Sequence, residues 1–172
     1  INVTPINQPP AGSDKTITSL EDSIYTFTAA DFGFTDPIDA SRPTGANSLR
    51  SVIIMTRPVA GSLQLGDVAV SAGQEILAAN LSSLTYNPPA NANGNAVASF
   101  TFQVRDNGGT AGGGSDLDST PNTITFSLTP VNDAPAGVDK TITTLEDTVY
   151  SFTAADFGFS DPADAAGATG AN

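Results

Sequence analysis

A stretch of this chain occurs twice. Asp14 to Asn47 reads DKTITSLEDSIYTFTAADFGFTDPIDASRPTGAN, and Asp139 to Asn172 reads DKTITTLEDTVYSFTAADFGFSDPADAAGATGAN, an offset of 125 residues. About three-quarters of these positions are identical, and most differences exchange Ser for Thr, Ile for Val or one small residue for another. Upstream, VTPINQPPAG at Val3–Gly12 aligns with LTPVNDAPAG at Leu128–Gly137. The period therefore divides the 172 residues into 1–13, the end of a preceding repeat and its linker; 14–135, a complete repeat; and 136–172, the first third of the next. A part-repeat of 34 residues cannot bury enough apolar surface to be stable alone. The expectation is a window of a longer tandem array; the alternative is a part-repeat completed by strands of a neighbouring chain.

Within the repeat the local signals are those of β-structure. Lys15–Leu20 and Ile24–Thr28 alternate apolar and polar residues around a turn at Glu21–Ser23. Thr28–Phe32 (TAADF) reads as one helical turn capped by Thr28. Further strands are expected at Leu49–Thr56, in a hairpin over Gly61–Val70 turning at Gly66–Asp67, and at Ser82–Asn87, Ala98–Arg105 and Thr123–Thr129. About seven or eight short strands at this spacing predict an all-β, Ig/cadherin-like Greek-key β-sandwich. Its inward-facing core is expected from Phe27, Ile53, Leu63, Tyr86, Phe100, Phe102 and Phe126. The glycine-rich GGTAGGG at Gly108–Gly114 lacks the Lys and helix start of a phosphate loop and reads as a floppy hairpin loop.

Composition narrows the chemistry. The chain has no Cys and no His, so it lacks Ser-His and Cys-His nucleophiles and the usual N/S ligands of zinc. Only 6 Lys and Arg stand against 18 Asp and Glu, for a formal charge of −12, so binding a phosphate backbone is not expected. No apolar run approaches the roughly 20 residues of a membrane-spanning helix.

The carboxylates avoid the strands and gather in loops: Glu21-Asp22, Asp36 and Asp39, Asp106, Asp116 and Asp118, and Asp133. If loops alternate between the ends of the sandwich, Glu21, Asn132 and Asp133 lie at one end and Asp36, Asp39 and Asp106 at the other. A following repeat would then bring Asp161 and Asp164 against Glu21, Asn132 and Asp133. Carboxylates about 4 Å apart repel by about 4 kcal/mol at an effective dielectric of 20. Ca²⁺, which takes six to eight oxygen ligands, turns that repulsion into a joint; Mg²⁺ demands a stricter octahedron. Asp116-Leu117-Asp118 either binds a surface Ca²⁺ or merely solvates its loop.

The motifs also carry a resemblance. VNDAP at Val131–Pro135 resembles the linker of cadherin repeats; Asp161-Pro-Ala-Asp164 resembles their Asp-x-Asp loop with one residue added; Arg105-Asp106-Asn107-Gly108-Gly109 resembles their Asp-Gly segment. With EDTVYSFTAADF, GSLQLGDVAV and LTYNPPANANG, the whole chain is similar to the cadherin-like tandem repeats of large bacterial surface proteins and adhesins of the RTX-adhesin type. The resemblance implies a secreted or cell-surface calcium-binding spacer without enzymatic activity, serving cell adhesion or biofilm attachment. Its partners would be neighbouring repeats, with homophilic or surface-ligand contacts possible. It implies metal ligands among Asn7, Glu21, Asp36, Asp39, Asp106, Asn132, Asp133, Asp161 and Asp164. Two departures stand out: Asn7-Gln8 replaces Asn132-Asp133 in the upstream linker, and Pro88–Asn95 offers only amides and carbonyls where cadherins carry an acidic motif. Alternative readings are a filament assembled by strand exchange, a carbohydrate- or protein-binding module, and glycoside hydrolysis by Asp36 with Asp39.

Overall fold

The computed structural model describes residues 4–42 and 45–164. Its strands are β1 (Lys15–Leu20), β2 (Tyr25–Thr26), β3 (Leu49–Ile54), β4 (Ser62–Leu65), β5 (Val68–Ala69), β6 (Gln74–Leu77), β7 (Leu84–Asn87), β8 (Gly94–Asp106) and β9 (Asn122–Thr129). They form two sheets, one ordered β1-β9-β8-β3-β6 and the other β2-β7-β4-β5. The chain is thus an all-β sandwich, and its strands repeatedly neighbour partners that are not consecutive in sequence. Among the described residues no helix is long and apolar enough to cross a membrane.

Alternation along the strands builds the core. In β8, Ala98, Phe100, Phe102 and Val104 point inward between half-exposed or exposed residues, and in β9 Ile124, Phe126 and Leu128 do the same. Phe126 stacks on Tyr86 of the opposite sheet at 3.8 Å between ring centroids. Phe27 meets Phe126, Phe100 and Phe32 at 6.1, 5.8 and 5.7 Å, mostly edge to face. Each such ring contributes on the order of 2–3 kcal/mol by leaving water.

Two expectations need correction. Ile53 is only half-buried; Val52 and Ile54 are the inward residues of β3, because pairing with β8 sets Val52 beside Val104 and Ile54 beside Phe102. A continuous apolar run such as VIIM carries no phase of its own, so the partner strand decides. Strand β6 was not expected: only Ile76 of Gln74–Leu77 is fully buried, too weak an alternation to read, yet β6 pairs with β3 at the sheet edge.

The pairing of β1 with β9 positions the ends of the unit. It is parallel, with Leu20 opposite Thr129, and the Glu21 N–H continues the ladder to Thr129 O at 2.9 Å. Glu21 and the chain leaving β9 therefore emerge side by side. The opening of β8 at Gly94 and its preceding loop lie at this end, because β8 runs antiparallel to β9. Its 13 residues carry the chain to Asp106, which pairs with Leu49 at the far end, roughly 40 Å away at 3.3 Å per residue.

Between β2 and β3, Thr28 caps a 3₁₀ turn at Ala29–Phe32. Asp31 reaches back to accept from the Thr28 N–H at 2.7 Å and the Thr28 hydroxyl at 3.0 Å, and also takes Lys15 Nζ at 2.6 Å and the Tyr25 hydroxyl at 3.0 Å. Burial alone would raise the Asp31 carboxyl; its bonds to Lys15, Thr28 and Tyr25 outweigh that and hold it below the usual carboxylate range. Burial and the neighbouring Asp31 push the Tyr25 phenol up to about 12.

The second copy repeats this clasp with Lys140, Tyr150, Thr153 and Asp156, at distances between 2.6 and 3.0 Å. Residues 139–152 nevertheless form no strand. Phe152 and Phe157 are 67% and 62% exposed, whereas their counterparts Phe27 and Phe32 are fully buried. The last eight residues of that copy lie outside the described residues.

Candidate metal centres

The upstream end collects Asn7, Asp36, Asp39 and Asp106, and adds Asn47, which the motifs did not single out. The Asn7 amide donates to Asp106 Oδ1 at 2.9 Å and to the carbonyls of Gly109 and Ser115 at 3.1 and 2.8 Å. Its Oδ1 accepts from Asn47 Nδ2 at 2.5 Å. Asp39 Oδ2 accepts from the Gln8 N–H at 2.8 Å, and Asp36 Oδ2 from the Asn47 N–H at 2.6 Å. Pro5, Ile6, Asn7, Asp39, Asn47 and Gly108 line a cavity of about 140 Å³ between them.

The glycine-rich loop is a seat for the linker rather than a floppy hairpin. The Ser115 N–H donates to Asn7 O at 3.1 Å. A Cβ on Gly108 would stand 2.2 Å from Asn7 Oδ1, and one on Gly114 about 3.0 Å from the Asn7 backbone oxygen. Absence of side chains is what lets the linker lie this close.

Three buried carboxylate oxygens have no hydrogen-bond partner among the described residues: Asp36 Oδ1, Asp106 Oδ2 and Asp161 Oδ1. Asp36 and Asp161 are equivalent positions of the two copies, offset by 125 residues. Asp106 is fully buried. Burial, together with Asp36 and Asp116, raises its carboxyl above the ordinary carboxylate range against the pull of the Gly108 N–H and Asn7. Leaving a charged oxygen dry and unpaired is costly, so such atoms call for a counter-charge.

At the downstream end, both Glu21 oxygens are engaged: Oε1 accepts from the Val131 N–H at 2.7 Å and Oε2 from Asn93 Nδ2 at 2.9 Å. The Asp133 N–H donates to Asp164 Oδ2 at 3.0 Å, the same bond that joins Gln8 to Asp39 one period earlier. Asn91 contributes as well: with its amide oriented to donate, it reaches Asp22 Oδ2 at 3.2 Å and Asp133 Oδ2 at 3.1 Å. The Asp133 carboxyl is raised by loss of solvent and by the charges of Asp22, Asp164, Glu21 and Asp161. Asn132 turns its amide to Asp133 O at 2.9 Å.

Asp118 is engaged in hydrogen bonds within the protein. Its oxygens accept from the N–H groups of Gly12 and Thr120 and from Asn122 Nδ2, at 2.9, 3.0 and 2.7 Å, and so tie the linker to the start of β9. Asp116 faces Arg105 at 3.8 Å.

Among the described residues no three carboxylates converge into a ready-made metal site. The residues fit a hard cation in another way: each end offers unpartnered or mutually repelling carboxylates with Asn side chains beside them. Ca²⁺ accepts that mixture and completes its six to eight ligands with neutral oxygens. Comparison of the sequence with protein-family models and with curated proteins finds no match.

Proposed function

We propose that this chain is a spacer of an extracellular bacterial adhesin, in which Ca²⁺ at the ends of the sandwich stiffens the joint to the neighbouring repeat. The observation that carries the reading is the unpartnered Oδ1 of Asp36, matched one period later by that of Asp161, each beside a linker that hydrogen-bonds to the second Asp of the same loop. Asp36 and Asp106, with oxygens of Asn7 and Asn47, would hold the ion upstream; Glu21, Asp22, Asp133, Asp161 and Asp164 would hold it downstream. The bound ion supplies positive charge that these carboxylates share. The protein supplies a short linker already pinned at both ends, so neutralising the carboxylates removes the repulsion that otherwise lets the joint open.

Carboxylates that do not converge into one cluster among the described residues imply modest affinity, about 10⁻⁴ to 10⁻³ M, the range of extracellular modules. Titration of chelator-treated protein with CaCl₂ by calorimetry, with small-angle scattering in parallel, tests the reading. Saturable binding in that range and a more extended particle are expected. If Asp161→Asn with Asp133→Asn leaves both unchanged, the downstream joint is not a calcium site.

A second reading is favoured by one observation, the exposure of Phe152 and Phe157 at positions buried in the complete repeat. Strands of another chain could cover that face and assemble filaments. Concentration-dependent polymers by light scattering, dispersed by Phe152→Ser, would support it; a monomer at every concentration would exclude it.

A further inference from the structure

Linker and acidic loop together differ by two formal charges between the two copies, the charge of one divalent ion. Gln8 stands where the downstream linker has Asp133, which removes a negative charge, and Arg42 stands where the second copy has Gly167, which adds a positive one. The two positions meet at the same carboxylate. Asp39 Oδ2 accepts from the Gln8 N–H at 2.8 Å, and Asp39 Oδ1 faces Arg42 Nη1 at 3.2 Å. The same Nη1 donates to Ile6 O of the linker at 2.5 Å. A guanidinium thus bridges the linker backbone to a buried acidic loop, the task that a cation bound between a carbonyl and a carboxylate would perform.

Downstream the balance is opposite. Asp133 brings a further carboxylate beside Asp22, Asp164, Glu21 and Asp161, and the second copy has glycine at 167 where the first has Arg42. We propose that Arg42 is a tethered cation that replaces one divalent ion at the upstream joint, so that the joints of one array differ in their dependence on calcium. The inference rests on the calcium reading above. It adds that neutral Gln8 and Arg42 act as a pair: Gln8 alone would leave Asp39 without a counter-charge, and Arg42 beside an acidic linker would compete with the ion.

The test uses the whole chain with Arg42→Gly and with Gln8→Asp plus Arg42→Gly. In chelator, exchange of the Gln8 amide by NMR is expected to speed up about tenfold in Arg42→Gly, because the linker loses its bridge while the strands stay folded. In CaCl₂ calorimetry, Gln8→Asp plus Arg42→Gly is expected to bind one more ion per chain than the parent, or to bind at the upstream end at least tenfold more tightly. Unchanged Gln8 exchange, or identical calcium isotherms for parent and double variant, overturns the inference. Failure of the calcium reading shows elsewhere, as a parent isotherm that Asp161→Asn does not alter.

Discussion

Asp106→Asn should stabilise the protein without calcium and blind its upstream end to calcium. In the parent, Asp106 Oδ1 accepts from Asn7 and the Gly108 N–H while Oδ2 is buried without a partner. The substitution keeps the accepting oxygen and places an NH₂ at the unpartnered position. It also removes a charge that Asp36 and Asp116 repel. Two unit charges roughly 6 Å apart repel by about 3 kcal/mol at an effective dielectric of 20. Screening by solvent and the loosening of the loop reduce this to a net gain of about 2 kcal/mol. For a unit of this size, 1 kcal/mol moves the melting temperature by about 3–4 °C, so the variant should melt about 6–8 °C above the parent in EDTA. At a hundredfold excess of calcium over Kd, binding adds about 2.7 kcal/mol to the parent and little to the variant at this end. The difference between them should then vanish or reverse. Calorimetric melting of both proteins in EDTA and in CaCl₂ reads both arms, and the shared downstream site cancels in the comparison. A variant that melts several degrees below the parent in EDTA, or that gains as much from calcium, would refute the argument that Asp106 is a carboxylate held for a cation.

Three further outcomes are expected. Phe126→Ala empties the centre of the ring cluster around Tyr86, Phe27 and Phe100 and should cost about 3–5 kcal/mol in urea unfolding; a loss below 1 kcal/mol would show that the core collapses into the space. Asp31→Asn removes an acceptor held by four hydrogen bonds and should cost about 2–3 kcal/mol at neutral pH. Because the folded Asp31 lies below its unfolded value, its contribution is complete above about pH 4 and fades as pH falls through the folded value. The melting gap between parent and Asp31→Asn should therefore narrow from pH 5 to pH 2; a gap that stays constant would exclude an ionised Asp31 as its source. Gly108→Ala pushes a methyl into Asn7 and should free the upstream linker with little effect on the core, seen as faster proteolysis ahead of Gly12 and a melting temperature within about 3 °C of the parent. Protection equal to the parent's would mean that Asn7 moves aside freely.

The repeat, the alternating strands and the clustering of acids in loops were legible because each is a local or periodic property of the chain. Period-two patterns around Phe100, Phe102 and Phe126 announce inward faces directly, and the duplicated DPxD loop is visible in the repeat itself. What stayed hidden depends on partners far away in sequence. Ile53 and Ile54 are chemically identical, and only pairing with β8 sends Ile54 inward. Glycines 108 and 114 read as slack until the linker is laid against them. Asn47 carries no signature, yet it touches Asn7 across 40 residues. The sequence by itself determined that this is an acidic β-protein with a duplicated segment and with neither histidine nor cysteine. The tertiary structure decided which of its carboxylate oxygens are paired, because a parallel β1–β9 contact and a long β8 separate the acids into two ends and leave Asp36, Asp106 and Asp161 each with one buried oxygen unsatisfied.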